Sequence, residues 1–427
     1  MVYHPRDHAH RNVSRRDFLR RSLAAGVALP SAAAILAACG GDGGTGTGTG
    51  GNGDGVGFSL TPTPGSPVKY PIYDDNPPIG SDLEPETDTT FKIFNWIDYL
   101  WPKKLRQFGE KYGVEVEYTT FYNMETAIER MRTGELDVDV FFPVIDYLPR
   151  MVAAKLLQPL NSDYIPNMAN LWPSIQSPFY DQESQYSVPY TVYTTGIEYL
   201  RPEVAKVPED YESPYDIFWD SANAGKVGLY DEYREVFAMA LLRNGVDDIN
   251  TSDEAAIDQA KQAIIEAIAA TDARLTINGA YAKLPTGAYH VHQAWSGDVV
   301  AAQYYGANGY KAADLGFYFP PTGGGVIGND LMAIPTTAKN PVLAHLFLDY
   351  MLDAKTGLQN FGWVGYQPPL TSLEPQSLIA DGWVRKNVET AVVTQEQFDE
   401  NERILALEPD VDAIYLDAWE EITSGAG

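Results

Sequence analysis

Phe91-Lys92-Ile93-Phe94-Asn95-Trp96-Ile97-Asp98-Tyr99-Leu100-Trp101-Pro102 opens on an apolar run, residues 91–94, that alternates as the first strand of a domain does. The chain then displays two tryptophans, a tyrosine and an aspartate in quick succession. Flat rings beside an acid at the carboxyl end of a strand fit either an ordinary core or the lining of a site for a cation.

From near Thr89 the chain reads as an α/β body, with residues 91–94 as its first strand. A helix is expected over 102–112, with Leu105, Phe108 and Tyr112 on one face and Gly113 as its stop. Residues 114–118 alternate as a half-buried strand, Met124, Ile128 and Met131 mark a helix, and 138–142 reads as a buried strand. This βαβαβ order predicts a parallel sheet with ligands at the strands' carboxyl ends. A second such unit begins near Gly196, with a strand over 226–230, a helix over 232–244 capped by Asp231, and a helix over 255–271. Two α/β units with a cleft between them suit a small ligand.

The chain has 427 residues and a formal charge of −28. The first 38 residues hold six arginines and two aspartates, which leaves 24 basic and 56 acidic side chains, or −32, for the rest. Such a body repels nucleic acid and attracts cations. Ser14-Arg15-Arg16-Asp17-Phe18-Leu19-Arg20 resembles a twin-arginine export signal, with Arg15 and Arg16 as its pair. A short apolar segment comes next and ends at Leu36-Ala37-Ala38-Cys39, which resembles a lipobox. Cys39 is the single cysteine, so no internal disulfide can form. Lipid on Cys39 would hold the chain on the outer face of the cytoplasmic membrane, in the periplasm or at the cell surface. Residues 1–39 thus read as an export and anchoring signal, and 40–88 as a flexible Gly/Thr/Pro-rich tether and lead-in.

Seven segments in order, NWIDY (95–99), VDVFFP (138–143), YSVPYT (186–191), REVFAMAL (234–241), AWSGD (294–298), NDLMAIP (329–335) and VGYQPP (364–369), resemble the spermidine/putrescine-binding proteins of ABC importers. The resemblance covers nearly all of 89–427. It implies a periplasmic-binding-protein fold of type II. Residues 89–193 with about 327–372 would form the first α/β domain, and 194–326 with about 373–427 the second, joined by a hinge. It implies a polyamine ligand in the cleft, permease subunits as partners, a monomer, no cofactor and no enzymatic activity.

Position by position, the resemblance makes Trp96 and Tyr99 aromatic contacts, Asp98 an acid at the rim, and Glu235 the acid of the second domain. Trp295 becomes an aromatic floor, Asp298 and Asp330 ligand carboxylates, and Tyr366 a further wall. Glu232 shares a helix side with Glu235. Three departures stand out. Val144-Ile145-Asp146 replaces a serine and a tyrosine or other polar residue, which brings Asp146 into the candidate set. Gly328 replaces a bulky aromatic, and no glutamine matches near Glu408.

The residue types suit that ligand. An ammonium group only donates hydrogen bonds, so carboxylates receive it, and aromatic faces serve both its charge and the methylenes. Two rivals differ. One is the same fold carrying another organic cation or small solute. The other is a secreted hydrolase using two carboxylates, a chemistry that leaves no linear motif; no GxSxG, HExxH or P-loop is present. His290 and His292 would share a strand face, but no third histidine is near, and no metal is expected.

Overall fold

The computed structural model describes residues 57–321 and 323–425. Arg15, Arg16 and Cys39 lie outside the described residues. No described helix is long and apolar enough to cross a membrane.

Among the described residues ten strands make one sheet: β1 Thr90–Trp96, β2 Glu115–Phe121, β3 Val140–Phe141, β4 Ser187–Leu200, β5 Val227–Leu229, β6 Arg274–Leu275, β7 Val291–Trp295, β8 Leu315–Tyr318, β9 Val326–Ala333 and β10 Glu402–Arg403. The helices that matter to the site are α1 Pro102–Tyr112, α2 Met124–Arg132, α3 Leu148–Ala153, α4 Tyr233–Arg243, α5 Glu254–Thr271, α6 Ser296–Ala302, α7 Pro341–Met351 and α8 Ala354–Val364. The strand order is β2-β1-β3-β9-β4-β7-β5-β6, with β8 on β4 and β10 on β9. β1 pairs in parallel with β2 and β3, and β5 pairs in parallel with β6 and β7. β4 joins the two parallel groups. It runs antiparallel to β9 from Ser187 to Thr195 and to β7 from Thr195 to Tyr199. Thr195 pairs with both Val326 and Trp295, so the two groups meet at that residue.

Alternation along β1 sets two layers of core. Phe91 and Ile93 face one side, where Phe91 packs on Phe108 of α1 with centroids 5.2 Å apart. Phe94 faces the other, against Phe121 at 4.8 Å and Phe141 at 5.8 Å. Phe91 and Phe108 are fully buried, and truncating either to alanine would cost about 3–5 kcal/mol. Pro102 opens α1, and Gly113 closes it with φ 71°, as its position in the sequence implies.

The structure changes several expected bounds. β1 runs on through Asn95 and Trp96, so Trp96 closes the strand and is not a loop residue. The strand expected over 138–142 narrows to Val140–Phe141. Ahead of it the buried Asp139 carboxylate accepts the N–H groups of Lys92, Lys339 and Asn340, tying β1 to the start of α7. The cap of α4 is Glu232, not Asp231: its carboxylate accepts the Glu235 N–H at 2.8 Å. Within the expected tether and lead-in, the described part is docked. Phe58, Val68 and Tyr70 are buried, and Val68 exchanges backbone hydrogen bonds with Phe179 and Gln182.

Candidate functional site

Four of the parallel strands, β1, β3, β5 and β7, deliver candidate residues at or past their carboxyl ends. β1 leads to Trp96, Asp98 and Tyr99; β3 to Asp146; β5 to Tyr230, Glu232 and Glu235; β7 to Trp295 and Asp298. That is where a parallel α/β sheet opens to ligands. β9, antiparallel to β3, brings Asp330 to the same place from the opposite direction.

After β1 the chain turns through Asp98 at φ 55°, a left-handed conformation that a short polar side chain tolerates. The turn returns Tyr99 to the sheet. Its hydroxyl donates to Asp330 Oδ2 at 2.6 Å and lies 2.5 Å from Thr191 Oγ1. The Tyr99 ring meets Tyr366 edge to face at 4.7 Å. Tyr366 donates to Asp298 Oδ1 at 2.8 Å, and Tyr230 donates to Asp298 Oδ2 at 3.1 Å. Tyr230 stacks on Trp295 at 4.1 Å, and the Trp295 indole N–H donates to Glu235 Oε1 at 2.7 Å. One unbroken run of contacts therefore links Asp330, Tyr99, Tyr366, Asp298, Tyr230, Trp295 and Glu235.

Close backbone approach makes this possible. Gly365 ends α8 with φ 85°, and a β-carbon there would stand 2.2 Å from the Gly297 carbonyl at the start of α6. A β-carbon on Gly297 would stand 2.4 Å from the Tyr366 ring. Two glycines thus let Tyr366 reach Asp298.

The carboxylates are shut away from water: Glu235, Asp298 and Asp330 are 4%, 5% and 7% exposed. Burial pushes each of the three up to about 7, against hydrogen bonds that favour the ionised form. Asp146 and Glu235 raise Asp330 further. Glu232 is pushed to about 8 by burial and by Glu235, and Asp146 to about 6 by burial, offset in part by Arg234. Among the described residues, no lysine or arginine forms a salt bridge with Glu235, Asp298 or Asp330. Arg234 instead sends its guanidinium to the Leu405 carbonyl and Asn250. Glu235 Oε2 and Asp330 Oδ1 have no hydrogen-bond partner among the described residues. No group of three or more His, Cys, Asp or Glu among them could hold a metal ion.

Four candidates lie outside the run: Trp96, Asp98, Asp146 and Glu232, the cap of α4. Trp96 packs on Phe121 at 4.6 Å, and its indole N–H donates to the Phe142 carbonyl at 3.2 Å. Asp98 acts on an outer set of tyrosines. Burial raises Tyr281 and Tyr305, and Asp98 and Asp298 both raise them further. Asp146 enters through its field on Asp330, and the loop that carries it lies beside β9, where the Leu331 N–H reaches the Pro143 carbonyl at 2.9 Å.

The reading of the sequence missed Tyr230, Thr191 and Tyr193. Tyr230 was within reach, since it follows β5 just before the acids of α4. Thr191 and Tyr193 needed the β4–β9 register, which pairs Thr191 with Asp330 and Tyr193 with Gly328. No spacing along one chain segment reveals that pairing.

Residues 104–390 match the family of bacterial extracellular solute-binding proteins. The chain is 30% identical over 294 residues to spermidine/putrescine-binding periplasmic protein 1 of Haemophilus influenzae, covering 68% of this chain and 78% of that one. It is 28% identical over 276 residues to a putrescine-binding periplasmic protein of Escherichia coli, covering 62% and 73%. In structure it resembles the spermidine/putrescine ABC transporter substrate-binding protein of Streptococcus pneumoniae, with a TM-score of 0.65 at 23% identity over 80% of this chain and 100% of that one. The fold is the mixed α/β fold of type II periplasmic binding proteins, and the chain belongs to the bacterial extracellular solute-binding proteins.

Proposed function

We propose that this protein is the extracytoplasmic receptor of an ABC importer, that it binds a polyamine, putrescine or spermidine, and that it hands the ligand to the permease subunits without chemical change. The carrying observation is the convergence of Glu235, Asp298 and Asp330, nearly buried, walled by Tyr99, Tyr366, Tyr230 and Trp295, and unpaired with any described lysine or arginine. Buried negative charge without a partner is costly. A diammonium ligand supplies the positive charge, and the rings receive its methylenes. Relatives named for spermidine and putrescine support this reading. Asp98 extends the acid set at the rim, while Asp146 and Glu232 add acids from the loop after β3 and the cap of α4.

In this reading the body works as a monomer of two lobes, 89–193 with about 327–372 and 194–326 with about 373–427. They hinge where β4 passes from one parallel group to the other. Arg15 and Arg16 direct export, and lipid on Cys39 holds the receptor at the membrane. Cys39→Ala should release the protein from membranes while leaving ligand affinity unchanged.

The extra carboxylate at Asp146 favours a second reading, another organic cation in the same site. Calorimetric titration of the purified protein with putrescine, spermidine, spermine and cadaverine decides between them. Saturable binding of at least one in the micromolar range or tighter, about −8 kcal/mol, is expected. Absence of heat with all four would overturn the polyamine reading.

A further inference from the structure

Tyr193 on β4 stands directly opposite Gly328 on β9, two residues from the opposed pair Thr191 and Asp330. Opposed residues of an antiparallel pair, and those two apart, share a face of the sheet. Tyr193 therefore rises from the same face as Asp330, whose carboxylate takes the Tyr99 hydroxyl there. Its ring folds across the strand onto Gly328. A β-carbon at 328 would stand 2.3 Å from Tyr193 Cζ and 2.5 Å from the hydroxyl oxygen, so any larger residue would expel the ring. In this position the ring meets Trp295 at 6.1 Å and Tyr366 at 6.0 Å, both edge to face. Burial raises the Tyr193 phenol, and the charges of Asp330, Glu235, Asp146 and Glu232 all raise it further. That hydroxyl makes no hydrogen bond to another described residue.

We infer that Tyr193 is a specificity-determining contact of the proposed polyamine site. Its ring forms a wall delivered from β4 in the space that Gly328 leaves on β9, and its hydroxyl accepts a hydrogen bond from a ligand ammonium. The inference rests on the polyamine reading. An ammonium donates and never accepts, so a phenol oxygen with free lone pairs receives it. The ring faces serve the methylenes and the positive charge together. Since 193 and 328 face one another across the ladder, either position can fill the same space, but not both.

The test is titration of the full-chain protein with putrescine, spermidine and cadaverine in four forms: wild type, Tyr193→Phe, Tyr193→Ala, and Tyr193→Ala with Gly328→Trp. Tyr193→Ala should weaken binding about tenfold or more, and Tyr193→Phe about three- to tenfold. The double variant, with an aromatic ring restored from the opposite strand but no acceptor hydroxyl, should recover to about the affinity of Tyr193→Phe. Amine affinities of Tyr193→Ala within about twofold of wild type, or a double variant no better than Tyr193→Ala, overturn the inference while the polyamine reading stands. A wild type that binds none of the amines overturns that reading first. Melting temperatures confirm folding of each variant, and if Tyr193→Ala does not fold, Tyr193→Phe carries the test through the hydroxyl alone.

Discussion

Trp295 and Glu235 are joined by a hydrogen bond of 2.7 Å from the indole N–H to Oε1, although one closes a strand and the other opens a helix 60 residues earlier. The same indole stacks on Tyr230 at 4.1 Å, so a single side chain acts as a wall and as a clamp on an acid. Its bond leaves Glu235 Oε2 without a partner among the described residues.

Trp295→Phe keeps an aromatic ring and removes the donor. Without that hydrogen bond the ionised form of Glu235 loses support, and its pKa climbs above about 7. Amine affinity at pH 7 should fall by roughly tenfold, the worth of one charge-assisted hydrogen bond. Part of the loss should return at pH 9, where Glu235 ionises regardless. Calorimetry at both values checks this, and equal losses at pH 7 and pH 9 would assign Trp295 to packing alone.

Asp330→Asn leaves the shape and removes a charge. The amide oxygen it introduces could still accept from Tyr99, which isolates the electrostatic contribution. Losing a buried charged partner should lower amine affinity by roughly 10- to 100-fold. An affinity within about twofold of wild type would remove Asp330 from the ligand site.

The raised carboxylates make binding depend on pH. Glu235, Asp298 and Asp330 titrate near 7, Glu232 near 8 and Asp146 near 6, whereas the unfolded chain has them near 4. Between about pH 4 and 8 the folded, ligand-free protein thus holds protons that the unfolded chain has released. These groups therefore make stability fall as pH rises through that window, the reverse of a salt-bridged carboxylate. A polyamine lowers the same pKa values and drives protons off. Affinity should rise from pH 5.5 to 8, and binding at pH 7 should release protons, seen as a heat that varies with buffer ionisation enthalpy. Proton uptake on binding, or an affinity flat across the range, would contradict the buried carboxylate cluster.

Much of this was legible in the sequence because local rules and tertiary needs agreed. Helix 102–112 carries its own start and stop in Pro102 and Gly113, and the βαβαβ order places a site past the carboxyl ends of the strands. The acids Glu235, Asp298 and Asp330 and the rings Tyr99, Trp295 and Tyr366 fall on one network. Other features depend on partners far away in the chain. Glu232 rather than Asp231 caps α4, because the chain leaving β5 reaches helical geometry one residue later than the polar run suggests. Trp96 belongs to the end of β1, since all seven residues of that strand pair with β2. Tyr193 became visible only through its pairing with Gly328.

Gly365 offers a test of how backbone contact builds the site. It lies at φ 85°, and an added β-carbon would meet the Gly297 carbonyl at 2.2 Å and the Ala301 nitrogen at 2.9 Å. Gly382 has a similar φ of 77° with nothing within 4 Å of the same added atom, so it isolates backbone strain from collision. Left-handed strain alone costs about 1–2 kcal/mol per residue, which in a protein of this size lowers the melting temperature by a few degrees. Gly382→Ala should show that loss and keep full amine affinity. Gly365→Ala should lose more stability, because α6 and α8 must separate. It should also weaken amine binding, because the separation pulls Tyr366 from Asp298, now 2.8 Å apart. Equal melting losses in the two variants, with affinity intact in both, would show that the contact between the glycines does not position the ligand acids.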